Sequence, residues 1–303
     1  MTYNLFLVDS RGPDVMAEAL AAIFQVPAKE VDVVDADGGQ EDRYWDALAS
    51  CEYSCVQGNV SLSLDIYAQD AVEQQPSEAE FSAALARQLD TPVLYPPQES
   101  AISAHWLVTP EGLVTRARLT EADDEEPMFT VTAIEEFVDR LPDVPVKRLP
   151  EVVREQKITT PLADSFAESF QSLTDGGNGA DCSAVTADVV QVARIAESYL
   201  GAWEKLSRRA ENGWMPSGWY PLEFYREVLG YRDDIEGYLR QLPENVATLY
   251  RRYLDKVDSL YQELTVEDKE HVIAGDQGEP VTHLTQKAWW WHRRPEPMPW
   301  SKG

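Results

Sequence analysis

The hydrophobic period changes once along the chain, and that change limits the folds open to it. Val60, Leu62, Leu64 and Ile66 alternate with Ser61, Ser63 and Asp65, the pattern of a strand with one face buried. Beyond Asp181 the apolar residues recur every three or four positions instead. Val185, Val189, Val192, Ala196, Tyr199, Trp203 and Leu206 form one stripe, ended by Asn212-Gly213. A second runs from Tyr220-Pro221 through Phe224, Val228, Tyr231, Ile235, Tyr238 and Leu242. Leu242-Pro243 breaks it, and Val246, Leu249, Tyr253, Val257, Leu260 and Leu264 form a third. Short connections between such helices favour antiparallel neighbours, so the second half is predicted to be a helical bundle.

The first half reads as mixed α/β. Tyr3 to Val8 is a short apolar run of strand type, and Pro13 to Phe24 follows with helical spacing, Pro13 sitting in the first turn. Val31, Val33 and Val34 give a second strand before the turn-rich Asp35 to Gly39. Pro76 to Glu80 opens a helix that runs through Leu89, and Pro92 separates it from the short strand Val93 to Tyr95. His105 to Val108 and Leu113 to Leu119, joined by Thr109-Pro110-Glu111-Gly112, form a hairpin. A third helix is predicted near Ala133 to Leu141, then an extended run from Val144 to Leu149. Together these predict an α+β chain: an acidic mixed α/β sandwich, ferredoxin-like or related, over 1–150, a linker with a short helix over 151–180, and a helical bundle with a Trp-rich tail over 181–303. The 303-residue length suits two domains.

Charge follows the same division. The formal net charge is −27; residues 1–160 carry 30 acids against 11 bases, and residues 161–303 carry 23 against 15. This excludes an electrostatic nucleic-acid binder and disfavours anionic membrane surfaces, because both need the opposite sign. The N-terminus has no basic region ahead of a long apolar one, and no window approaches a transmembrane span, so a soluble cytoplasmic protein is expected. Cys51, Cys55 and Cys182 are too few for a disulfide scaffold and lack partners for a metal site. They are expected as small buried thiols on or beside a strand.

The candidate chemistry is that of binding. Asp35, Asp37, Glu41 and Asp42 flank Gly38-Gly39 but lack the ligand spacing of a calcium loop. Asp123-Asp124-Glu125-Glu126 is a run of four acids after a strand, the composition of a partner-facing patch. Gly176-Gly177-Asn178-Gly179 lacks phosphate-loop spacing. His105, His271, His283 and His292 fit neither a metal motif nor a triad, so no catalytic residue, metal or cofactor is assigned. Trp214 and Trp219 lie in a Pro-rich interhelical loop, where they anchor a partner or plug the end of the bundle. The tail Trp289-Trp290-Trp291-His292-Arg293-Arg294-Pro295 sets indoles beside cations, which stacking and docking onto the bundle would explain.

Trp219-Tyr220-Pro221, Phe224-Tyr225, Tyr231-Arg232-Asp233-Asp234, the Leu242-Pro243 break and the Trp-rich tail resemble uncharacterised helical proteins of actinobacteria. In architecture and charge, the first half is similar to immunity proteins that neutralise polymorphic toxins. These resemblances imply a non-enzymatic immunity or inhibitor protein whose acidic half masks a basic protein partner such as a toxin domain. Two other readings stand beside it: an adaptor that binds through the helical half, and an enzyme whose residues converge from distant segments.

Overall fold

A computed structural model describes residues 1–39, 43–97, 104–122, 128–175, 186–215, 217–273 and 287–301. The chain divides into two compact units, Met1–Gln156 and Lys157–Gly303.

The first unit is organised by β1 (Thr2–Leu7), whose alternating residues face opposite sides of the sheet. Tyr3, Leu5 and Leu7 lie in one core with Met16, Leu20 and Phe24 of α1 (Pro13–Phe24) and Phe81, Leu85 and Leu89 of α2 (Glu78–Leu89). Phe6 packs against the core on the other side. Both helices follow local signals. Pro13 opens α1, and α2 begins with a capping box in which Ser77 and Glu80 satisfy each other's backbone N–H groups.

The edge strand β2 (Val31–Asp35) pairs in parallel with β3 (Ala49–Cys55). After the two-residue β4 (Gln57–Gly58), β5 (Leu62–Ala68) runs antiparallel to both β3 and β1. Then β6 (Val93–Tyr95) pairs antiparallel with the opposite edge of β1. The meander β7 (Ala104–Val108), β8 (Val114–Ala122) and β9 (Met128–Ile134) extends the sheet to nine strands in the order β2-β3-β5-β1-β6-β7-β8-β9-β4. The predicted hairpin is present: Gly112 N–H donates to the Thr109 carbonyl at 3.0 Å, and Gly112 takes φ +93°.

The helix expected near Ala133 to Leu141 is a strand end followed by irregular chain. Ala133 and Ile134 finish β9, paired with Arg118 and Ala117. Ile134 also bridges in parallel to Val146, its N–H bonding the Pro145 carbonyl at 3.1 Å. Helical spacing of apolar residues was present, but the open edge of β8 supplied more backbone partners than an isolated helical turn could. Val138, Leu141 and Val144 still reach the second core, while Phe137 is left 56% exposed.

The segment expected as a linker with one short helix carries two helices. In the first unit, α3 (Pro150–Arg154) follows Leu149, which packs with Val152, Ala104 and Ala133. In the second unit, α4 (Pro161–Asp175) packs on α5 (Ala187–Glu211) and α7 (Glu244–Leu264), and α5 also packs on α6 (Leu222–Leu239). The fully buried Glu204 of α5 accepts the Leu162 and Ala163 N–H groups at 3.0 and 2.9 Å, capping the start of α4. Last, β10 (Thr265–Glu267) pairs antiparallel with β11 (Arg293–Pro295) and holds the tail. No helix among the described residues is long and apolar enough to cross a membrane.

Candidate partner-binding surface

The outermost strand β2 positions the acidic turn singled out from sequence. Asp35 ends the strand, and its carboxylate accepts the Asp37 N–H at 3.0 Å while its carbonyl accepts that of Gly38 at 2.9 Å. Asp35 is therefore used to shape the turn. Asp37 is exposed. Glu41 and Asp42 lie outside the described residues, as do Asp123, Asp124, Glu125 and Glu126.

Past the turn the chain returns along the edge. Arg43 Nε donates to Asp32 at 3.3 Å, and a terminal nitrogen of Arg43 donates to Glu52. Tyr44 contributes its N–H to Asp32 at 3.4 Å and its hydroxyl to Glu30 at 3.2 Å. The Arg43 guanidinium also lies 4.5 Å over the Trp45 ring, and that ring is 71% exposed. Sequence reasoning missed Tyr44 and Trp45 because single aromatics in a turn carry no periodic signal. The result is an aromatic surface beside Glu30 and Asp46, with its cation already engaged by two carboxylates.

The same internal neutralisation recurs through the first unit. Arg140 binds Asp9 at 2.9 Å and Asp90 at 3.2 Å, and Arg11 approaches Asp9 at 3.6 Å. Arg118 makes two 2.6 Å bonds to Glu151. Burial raises the Glu151 carboxyl pKa, but the Arg118 hydrogen bonds, a backbone N–H and the Arg118 and Lys147 charges together outweigh it and hold the group below the usual range. Since this unit has 30 acids and 10 bases, committing four arginines internally leaves a surface dominated by carboxylates.

The tryptophans of the second unit turn inward. Trp214 is 6% exposed, takes φ +62°, donates its backbone N–H to Arg209 at 2.8 Å and packs 5.2 Å from Tyr220. It plugs the unit and offers a partner almost no surface. Trp219 is half-buried. In the tail, the Trp290 and Trp291 indoles both donate to Asp233, at 2.9 and 2.8 Å. Arg232 lies 4.1 Å over Trp290 and reaches Asp258 at 3.0 and 2.8 Å, and Asp258 also accepts the Trp203 indole at 2.8 Å. The tail docks as expected, although the stacking arginine comes from α6 and not from the tail. The sequence gives Asp233 and Asp258 no role of their own, because a carboxylate within an amphipathic stripe reads as part of its solvated face.

Cys51 is buried and its thiol pKa is pushed up to about 12, chiefly by burial and then by Asp65 and Glu52. Cys55, expected to be buried, is exposed, and Cys182 lies outside the described residues. Among the described residues no three His, Cys, Asp or Glu side chains gather as a metal site requires. What the fold and surface define is a two-unit protein, mixed α/β and then helical, with its negative surface concentrated on the first unit. Comparison with family models, with curated proteins and with solved structures gives no match.

Proposed function

We propose that this chain is a non-enzymatic binding protein of the immunity or inhibitor type, whose acidic first unit masks a basic protein partner such as a toxin domain. The observation that carries this reading is the internal pairing of Arg11, Arg43, Arg118 and Arg140 in a unit of 30 acids and 10 bases, which leaves its surface rich in carboxylates, with the exposed Trp45 ring on the same unit. Interfaces that take this form gain encounter rate from charge and residence time from an aromatic anchor. The finer architecture fits the same reading. Strands β3, β5, β1 and β6, with α1 and α2 as crossovers, have the order and directions of a ferredoxin-like βαββαβ unit, to which β2 and the β7–β9 meander add. The helices of the second unit form a bundle that serves as scaffold. The inward-facing Trp214, Trp290 and Trp291 favour this over an adaptor that binds through the helical half.

The test uses the intact chain as bait in lysate of the source organism, followed by purification of the recovered protein and measurement of Kd. The expected partner is basic, and its Kd should weaken about tenfold between about 50 and about 300 mM salt. Replacing Asp123, Asp124, Glu125 and Glu126 by Ser should weaken it further. A neutral or acidic partner, or one whose affinity ignores salt, would overturn the proposal.

A further inference from the structure

The irregular run that replaces the expected helix creates a second feature on the first unit. Between the β7–β8 turn and residues 137–140 lies a cleft of about 270 Å³. Pro92, Pro110 and Leu113 give it apolar walls, and Phe137 stands at its mouth. A helix over 133–141 would have placed Phe137 on the face that buries Ala133 and Leu141. The irregular chain instead buries Val138 and turns Phe137 outward.

The cleft's charged groups are Glu111, Asp139 and Arg140. Arg140 already holds Asp9 and Asp90 with its two terminal nitrogens. Glu111 and Asp139 are the exposed carboxylates of the lining. The Glu111 carboxyl pKa is held below its usual range first by the Thr109 hydroxyl, then by a backbone N–H and the Arg140 charge. Thr109 is 5% exposed and lines the same cleft, and its hydroxyl, turned toward Glu111, accepts no hydrogen bond among the described residues. A buried hydroxyl left in this state is an acceptor for a donor that enters the cleft.

We infer that this cleft is the subsite for an arginine side chain of the basic partner, an inference that rests on the proposed function. A guanidinium suits each wall: its face stacks on an aromatic ring such as Phe137, its methylenes lie along the prolines and Leu113, and its several N–H groups serve Glu111, Asp139 and the Thr109 hydroxyl together. An ammonium offers no planar face to stack and fewer donors in a fixed geometry.

The test is an NMR titration of the full-length protein with N-acetyl-arginine methylamide, with the neutral citrulline analogue and with calcium chloride as separate arms. Saturable shifts at residues 109–113 and 137–140 are expected from the arginine probe alone. Glu111→Gln with Asp139→Asn should weaken that binding about tenfold, and Phe137→Ala should weaken it independently, with amide spectra elsewhere unchanged. Shifts spread over the acidic surface, an unaltered Kd in the double variant, or an equal response to citrulline or calcium would overturn the subsite. Its failure is separable from that of the parent proposal. A basic partner recovered with salt-sensitive Kd that the double variant leaves unchanged removes the cleft and keeps the masking role. Probe binding in the cleft without any basic partner does the reverse.

Discussion

Gly58 shows how a single residue can hold an edge of the sheet. It takes φ +111°, and a Cβ there would lie 2.0 Å from the Phe129 carbonyl oxygen. Gly58→Ala is therefore expected to destabilise the protein by about 2 kcal/mol or more, since both the left-handed backbone and the close approach resist a side chain. Chemical denaturation checks this, and a loss below about 0.5 kcal/mol would contradict it. The two described cysteines differ in the same local way. At pH 8 Cys55 should react readily with a thiol reagent, while Cys51 should react only on unfolding, because burial keeps it protonated well above that pH. Equal rates in the Cys182→Ser background would count against the buried placement of Cys51.

Elements are fixed partly by partners distant in sequence. The start of α4 depends on Glu204, more than 40 residues away, whose carboxylate accepts two backbone N–H groups of its first turn. Glu204→Ala should cost about 2 to 4 kcal/mol, because it leaves buried donors unsatisfied. Glu204→Gln, which keeps an acceptor, should recover part of that, and equal losses in the two variants would argue against the capping role. The α2 capping box is the contrasting case. Its Ser77 and Glu80 lie three residues apart, so that helix start was readable in the sequence. The run after Ile134 shows the limit of local pattern. Ala133, Phe137 and Leu141 have helical spacing, yet the backbone of β8 and Pro145 claimed the chain for a strand and a bridge. β3 was missed for a related reason: Ala49-Ser50-Cys51-Glu52 is weakly patterned and becomes a strand because β2 and β5 lie on either side.

The whole molecule carries a net charge of −27, so self-repulsion works against the folded state. Moderate NaCl should therefore raise Tm, by a few degrees between about 20 and about 200 mM, as screening shortens the reach of like charges. A fall in Tm over that range would mean that the internal ion pairs outweigh the surface repulsion. The passage from strand-type to helical pattern was legible as a change of period. So was the location of its charge, because counts along a sequence need no coordinates. The cleft at Phe137 and the aromatic edge at Trp45 were not legible, since each joins segments that only the sheet brings together.

By itself the sequence determined what depends on near neighbours: the strand at Leu62 to Ala68, the three long helices of the second half, the start of α2, the hairpin turn and the acidic excess. Period, propensity and turn chemistry act within a few residues, which is why they can be read along a line. Only the tertiary structure decided that Trp214 is interior, that Asp233 and Asp258 are hydrogen-bond acceptors for indoles, and that Arg140 is spent on Asp9 and Asp90. Those outcomes depend on which surfaces meet, and burial and pairing are properties of the meeting rather than of the residue.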